Sequence, residues 1–398
     1  MNHPINHIFE HTPETLAAWC ESHRMPAFRA KQILEWVYEK GVCEPEKMSN
    51  LSKLDRETLA RDMTFLSGRT LAHQKASDGV QKLLIEWEDE EKSGSQEVAK
   101  SGAGVTNEAP PGPVPLGGGA IALPQAKATG SANAKGDTAR QTECVMIPTD
   151  DRKTACISSQ VGCPVGCRFC ASGLGGLDGN LSAGRIVEQV WRLGRLPSVE
   201  RISNVVFMGM GEPLSNFQNV TRAIRILASL WATGVSARKI TISTVGLPQA
   251  IRKLAEQFEL PVTLALSLHA PTDDIRRSLI PWAEYTTIKD LLAACQEWFD
   301  KTGREITLEY TLLYAINDKP EHAQELARLA KTLRANINLI RYNEVKDLPF
   351  KRPLDADVLA FQKVLKDKGV NVHIRASRGR DIAAACGQLR HESAKAGA

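Results

Sequence analysis

Three thiols stand close together in the run Cys163-Pro-Val-Gly-Cys167-Arg-Phe-Cys170, a C-x3-C-x2-C spacing. Thiolates are the usual protein ligands of iron–sulfur clusters, and three on one short loop hold three corners of a 4Fe-4S cube while leaving the fourth iron open to a chelating substrate. Gly162, Pro164 and Gly166 mark the segment as a loop, where the backbone is free to wrap a cluster. Two other readings stand beside this one. Structural zinc takes four ligands, and neither a second C-x2-C pair nor a nearby histidine completes such a set. Chance clustering of buried cysteines is a poor account of a loop rich in Gly and Pro.

Two more cysteines flank this motif at a distance, Cys156 just upstream and Cys386 close to the C-terminus. A cysteine after Ala383, Ala384 and Ala385 ordinarily reads as a buried packing residue. The chain has 398 residues and nine cysteines in all, an odd number in a long chain, which fits poorly with a secreted disulfide scaffold. Cys20, Cys43, Cys144 and Cys295 read as structural.

The elements that must position these groups alternate. Strand patterns fall at Cys156 to Gln160, Val205 to Met210, Lys239 to Val245, Val262 to His269, Ile306 to Leu313, Ile337 to Asn343 and Val370 to Ala376. Helical patterns lie between them at Ala183 to Arg195, Phe217 to Leu230, Ile288 to Lys301, Glu321 to Leu333 and Asp355 to Lys368. Repeated βαβ units predict an α/β fold with a parallel sheet, curled into a partial or full (β/α) barrel. Barrel chemistry sits at strand C-termini, and polar residues stand there. Gly209-Met-Gly211-Glu212-Pro213 ends one strand, and its glycines permit close backbone approach to a ligand while Glu212 can accept bonds from an ammonium group. Ser243, the run Ser267-Leu268-His269, and Asn343 end three others. Singly each reads as a turn or cap; jointly they look like a nucleoside-binding rim.

Upstream, Thr12-Pro13-Glu14 has the form of a helix start, and Phe28 to Lys40 continues in helical spacing, so residues 1–65 are expected to form a small helical accessory domain. Val80 to Glu88 alternates, with Leu83, Ile85 and Trp87 on one face, as a strand does. From Ser93 to Arg140 the chain holds 9 of its 29 glycines, 5 of its 20 prolines and no aromatic residue. Such a segment cannot offset its ordering entropy by burial and is expected to be disordered. Over the whole chain, 42% apolar and 24% charged residues exclude wholesale disorder and coiled coil. No apolar run approaches the roughly 18 to 20 residues of a membrane span, and the N-terminus has no signal pattern, so a cytoplasmic protein without membrane attachment is expected. A net charge of +4 decides nothing about partners.

The runs ECVMIPTDDRKTAC (Glu143 to Cys156), ISSQVGC, CPVGCRFC, GMGEP, SLHAPTD and RGRDIAAACGQL (Arg378 to Leu389) together resemble the RlmN/Cfr family of radical S-adenosylmethionine (SAM) RNA adenine methyltransferases, and MPAFRAKQILEWVYEKGV is similar to the accessory domain of the RlmN branch. One departure is Gly179, where the family commonly has arginine. The resemblance implies a radical SAM partial barrel at residues 151–390, with a tail at 391–398. It also implies that Val80 to Glu88 and Glu143 to Ile147 are arms of one hairpin within residues 66–150, with the 93–140 tract inserted at its tip. Cys163, Cys167 and Cys170 would hold one 4Fe-4S cluster, and Gly211, Glu212, Ser243, Ser267, Leu268, His269 and Asn343 would bind SAM.

The implied reaction is methylation of adenine C2 in 23S rRNA, with tRNA as a second candidate substrate. C2 is an aromatic carbon without a usable lone pair, so a thiolate is needed first as methyl acceptor. By resemblance, Cys386 takes a methyl group from one SAM. A second SAM yields a 5'-deoxyadenosyl radical that removes hydrogen from it, and the carbon radical adds to adenine. Cys156 would then deprotonate the adduct and form a disulfide with Cys386. Glu143 is implied as an acid/base residue. Two SAM are used per turnover, an electron donor such as a flavodoxin is expected, and the chain is expected to act as a monomer. Arg375, Arg378 and Arg380 are candidates for RNA phosphate. Methylation at C8, and a non-catalytic Fe-S RNA-binding protein, are the alternatives.

Overall fold

The computed structural model describes residues 1–89 and 137–389. The N-terminal helices are α1 (Pro13–Ser22), α2 (Arg29–Leu34) and α3 (Lys53–Asp62). Thr12 and Ser52 each accept from a backbone N–H three residues on, and Thr15 and Asp55 return the bond, which satisfies donors that helix starts leave open. α2 runs into a wider π-type turn at Glu35–Glu39. Leu16, Ile33, Val37 and Leu59 are buried in a core continuous with that of the sheet.

Strands β1 (Gly68–Lys75), β2 (Gln81–Trp87), β3 (Gln141–Pro148) and β4 (Lys153–Cys156) form an antiparallel series. A separate two-stranded hairpin follows, β5 (Gln160–Gly162) with β6 (Leu177–Asn180). The chain then runs through α4 (Ala183–Leu193), β7 (Asn204–Phe207), α5 (Phe217–Ala228), β8 (Ile240–Thr244), α6 (Pro248–Gln257) and β9 (Thr263–Ser267). It ends with α7 (Asp273–Leu279), α8 (Ile288–Thr302), β10 (Ile306–Leu312), α9 (Pro320–Ala330), β11 (Ala335–Arg341), α10 (Asp355–Asp367) and β12 (Val372–Arg375). Ten strands share one sheet in the order β1-β2-β3-β4-β7-β8-β9-β10-β11-β12. From β4 onward neighbours are parallel. Among the described residues β1 and β12 are its edges, so the α/β barrel is partial.

The central parallel strands bury apolar side chains at alternate positions, on one face of the sheet, such as Ile240 and Ile242 in β8 and Leu264 and Leu266 in β9, while Thr241 and Ser243 of β8 point to the other face. Several details differ from the sequence reading. The strand expected at Cys156 to Gln160 is two, because Ser158 turns the chain out of the sheet: its N–H donates to Gln189 Oε1 (2.9 Å), its hydroxyl donates to the Glu143 carbonyl (2.7 Å) and accepts from the Met210 N–H (2.9 Å). All of β2 is buried rather than one face of it, because it lies between β1 and β3. β1, α6 and α7 went unforeseen. Within the tract expected to be disordered, Thr138–Arg140 form a short 3-10 turn capped by Asp137; residues 93–136 of it, and the tail at 391–398, lie outside the described residues. Among the described residues no helix is long and apolar enough to cross a membrane.

Candidate active site

A cavity of about 160 Å³ opens at the C-terminal ends of the parallel strands, the place where barrel folds carry their chemistry. Cys163, Cys167 and Cys170 line one wall, on the loop between β5 and β6. The Cys163 N–H donates to Gly176 O (2.8 Å) and the Cys170 N–H to Cys167 O (3.1 Å). Phe169 packs edge-on against His269 at 5.2 Å and, with Val165, Leu279 and Ile280, forms an apolar patch behind the thiols. Burial pushes the Cys163 thiol up to about 12, and raises Cys167 and Cys170 as well. Among the described residues no three Cys, His, Asp or Glu side chains are gathered around one metal-ion position. Three partly exposed thiols along one wall, none of them in a disulfide, suit a larger iron–sulfur cluster, whose charge would stabilise the thiolates that burial disfavours.

The opposite rim comes from strand ends. After β7, a Cβ on Gly209 would lie 2.7 Å from the Ile157 carbonyl oxygen, and Gly211 holds φ of 106°, so this turn needs its glycines. Glu212 is buried, and its carboxylate accepts from the Leu214 and Val245 N–H groups at 2.9 and 2.8 Å. Burial raises it to about 6, against the pull of those bonds. Ser243 and Ser267 meet at 3.3 Å between their hydroxyls. His269 has a left-handed backbone, φ 57°, and its Nδ1 accepts from the Thr311 N–H at 3.0 Å, leaving Nε2 as the donor. Burial, then the nearby Arg276, lowers it to about 3, so it is neutral. Leu268 does not line the cavity: its side chain is in the main core and its N–H bonds Glu309 O at 3.1 Å. Asn343 lines the cavity, and its Nδ2 donates to Cys386 O at 3.3 Å.

Cys386 lines this cavity and a second one of about 70 Å³ that Cys156 also lines. Burial, then the neighbouring Cys386, pushes Cys156 up to about 12. Both are free thiols, so the disulfide expected between them is not present. Glu143 borders neither cavity; it is buried in β3, 3.0 Å from Lys82 Nζ. Arg375 was expected among phosphate ligands, yet it belongs to the cavities: its Nη1 donates to Met208 Sδ at 3.2 Å and lies 3.9 Å from Glu309 Oε2. Cys386 first, then Glu309 and Cys156, hold its charge above the ordinary guanidinium value against the cost of burial. Arg378 is bonded to Pro148 O at 2.9 Å; Arg380 is exposed. The sequence reading also missed Glu309, a lone carboxylate in the strand ITLEYTL, which was the available signal.

Residues 157–330 match the radical SAM superfamily, and residues 6–64 match the ribosomal RNA large subunit methyltransferase N-terminal domain. The chain is 37% identical to a probable dual-specificity RNA methyltransferase RlmN of Rhodopirellula baltica, over 97% of this chain and 91% of the relative. A protein of the same description from Prochlorococcus marinus is 41% identical, over 92% and 90%. The chain belongs to the RlmN family. A crystal structure of a radical SAM methyltransferase from Sphaerobacter thermophilus, 34% identical, superposes with a TM-score of 0.81 over 97% of this chain and 99% of that one. This RlmN-family chain is therefore a SAM-dependent radical SAM enzyme, and the family's cofactors are a 4Fe-4S cluster and SAM.

Proposed function

We propose that this chain methylates C2 of an adenine in 23S rRNA, and in tRNA, through an S-methyl group carried on Cys386. The observation that supports this reading best is the position of Cys386 at the seam of two cavities, one walled by the three cluster thiols and one shared with Cys156. Such a residue can meet a cofactor on one side and a base on the other. Cys163, Cys167 and Cys170 would hold the cluster; Gly211, Glu212, Ser243, Ser267, His269 and Asn343 would hold SAM. When bound, cluster and SAM supply one-electron chemistry that takes a hydrogen atom from the S-methyl group, two SAM being used per turnover and a flavodoxin-type protein supplying the electron.

The remaining work falls to the chain. Cys386 attacks the SAM methyl carbon as a thiolate, forming its S–C bond as the sulfonium S–C bond breaks, and Arg375 stabilises that thiolate. Cys156 removes the proton at the adduct carbon. Glu143 is the acid/base residue that the family resemblance names, joined through Lys82 Nζ to the Ala383 carbonyl of the Cys386 loop. A duplex hides the base edge, so the target adenine is one in a loop or drawn out of its stack. The division into an accessory domain at 1–65, a hairpin extension at 66–150, a barrel at 151–390 and a tail at 391–398, acting as a cytoplasmic monomer, belongs to the same reading.

The deciding experiment is anaerobic reconstitution with SAM, a reductant and rRNA or tRNA fragments, followed by mass spectrometry of the digested nucleosides. 2-Methyladenosine is the expected product. 8-Methyladenosine would move the reading to the Cfr branch, and absence of SAM cleavage by reduced protein would leave an Fe-S RNA-binding protein.

A further inference from the structure

The loop from Gly379 to Gly387, which carries Cys386, is gripped from behind by the β1–β2 hairpin. Two bonds are reciprocal. The Gly379 N–H donates to Asp78 Oδ2, and the Ser77 N–H donates to Asp381 Oδ2, both at 2.9 Å. A third comes from β2, where Lys82 Nζ donates to the Ala383 carbonyl at 3.2 Å. The same Nζ lies 3.0 Å from Glu143 Oε1, with the two side chains 4% and 1% exposed. One buried ammonium thus ties the loop to the paired strands β2 and β3.

The loop has a shape that local preference does not supply. Ala383 sits at φ 49°, in the left-handed region that residues with a Cβ avoid. Gly379 sits at φ 66°, and a Cβ there would lie 2.8 Å from Val80 Cγ1, so only glycine admits the hairpin this closely. On its other side the loop bonds to the cavity wall, through Asn343 Nδ2 to Cys386 O (3.3 Å) and the Ala171 N–H to Gly387 O (2.8 Å). The Cys386 segment is therefore held between hairpin and cofactor wall, and the hairpin half of that grip is made by side chains at the hairpin tip and on β2.

We propose that Asp78, Lys82 and Asp381 are positioning residues that clasp the Cys386 loop to the hairpin and so set the Cys386 sulfur for methyl uptake. The proposal rests on the reading that Cys386 carries the methyl group. An ion pair needed only for the core would be complete with Glu143; here Lys82 spends a further donor on the loop. Asp78 lies at the hairpin tip, where its Oδ1 accepts from the Val80 N–H (3.2 Å) within the turn, and Asp381 lies on a loop surface; the Oδ2 of each reaches across to the opposite segment. They act on the reaction through Cys386 and touch no reacting atom.

The test uses the full chain, reconstituted anaerobically, as wild type, the Asp78→Ala/Asp381→Ala double variant, the Asp78→Asn/Asp381→Asn double variant, and Lys82→Arg. Hydrogen–deuterium exchange reads loop peptides within residues 376–389, and peptide mass spectrometry follows S-methyl formation on Cys386 with SAM alone. In the double alanine variant, loop exchange should rise by roughly tenfold or more, as loss of two backbone bonds predicts. Methyl uptake at saturating SAM should fall by about tenfold, with the half-saturating SAM concentration within twofold and iron content unchanged. The asparagine pair keeps an acceptor oxygen at each site and Lys82→Arg keeps the cation, so both should restore most of the protection and uptake. Loop exchange that stays at the wild-type level in the double alanine variant overturns the clasp, and so does a deprotected loop with undiminished uptake. Wild-type protein that takes no methyl on Cys386 refutes the functional reading and with it the positioning role, whereas the exchange comparison still decides whether the hairpin holds the loop.

Discussion

Two groups of cysteines lie at the strand ends with different charged neighbours. Cys163, Cys167 and Cys170 lie on one wall of the main cavity, raised chiefly by burial; for Cys167 the opposing charge is Arg276. Cys386 lines the same cavity with Arg375, which is anchored beside Glu309, and Cys156, also raised by burial, lies behind it in the second cavity that Cys386 and Arg375 share. The first group becomes anionic when a metal cluster supplies positive charge. The second has positive charge built in. On the proposed reading, a thiol that serves as a ligand and a thiol that serves as a nucleophile differ in who provides the cation, and each part of that contrast can be tested.

The largest effects separate the groups. Cys386→Ala should lower methylated product by about 10³-fold or more while iron content and the cluster's visible absorbance survive. Cys167→Ala should lose the absorbance and product together. A Cys386→Ala protein that still forms 2-methyladenosine at the wild-type rate would end the proposed mechanism, and retained absorbance in Cys167→Ala would remove that thiol from the cluster set.

Arg375 tests the built-in cation. Arg375→Met should slow methyl uptake on Cys386 by about 10- to 100-fold near pH 7, the usual worth of a neighbouring charge to an ionising group. Arg375→Lys, which keeps the cation, should recover part of the rate. An uptake rate equal to wild type in Arg375→Met would show that methyl transfer to Cys386 does not depend on this cation.

The contrast explains which parts of the molecule were legible in the sequence. The parallel strands were, since Ile240–Thr244 and Thr263–Ser267 are short apolar runs between helices, and the rim residues were found because barrel chemistry sits where strands end. β1 was not, because Gly68–Lys75 is a polar edge strand with little to bury on either face. The cluster thiols were legible because their spacing is local. The Arg375–Glu309 pair was not, because it joins β12 to β10, and neither residue's neighbours in sequence announce the other. Glu143 was expected by resemblance alone, and its pairing with Lys82 is visible only once β2 and β3 are in register.

Between the two cysteine groups, Glu212 should give a smaller, pH-dependent effect. Its carboxyl is raised from 4.5 to about 6, so between those values the folded chain holds a proton that the unfolded chain has lost. Stability from this group is greatest at low pH and falls as pH rises through that window. On the proposed reading Glu212 receives the SAM ammonium as an anion, which exists above about 6. SAM binding should therefore weaken as pH falls below that value, by about tenfold per unit at most, and Glu212→Gln should bind weakly with a flat profile. Titration of SAM affinity from pH 5 to 8 checks this; an unchanged affinity across the range would remove Glu212 from the ammonium site.

The smallest effect is expected from the long segment between β2 and β3. The pairing of these strands does not need it, because their register runs from Gln81 opposite Met146 to Glu86 opposite Gln141. Trp87 Nε1 donates to Thr142 Oγ1 at 2.9 Å, and the Asp137 N–H donates to Glu86 Oε1 at 2.6 Å, pinning the open end. Replacing residues 93–136 by a short turn changes only the entropy of closing the loop, a gain of roughly 2 kcal/mol at most. The melting temperature should move by a few degrees, upward if at all, and both cysteine groups should keep their behaviour: full cluster absorbance and wild-type methyl uptake on Cys386. Loss of soluble protein would show that the segment carries structure of its own. Loss of uptake with the cluster intact would instead mean that the β2–β3 connection acts on the Cys386 side alone, through Lys82 and Glu143.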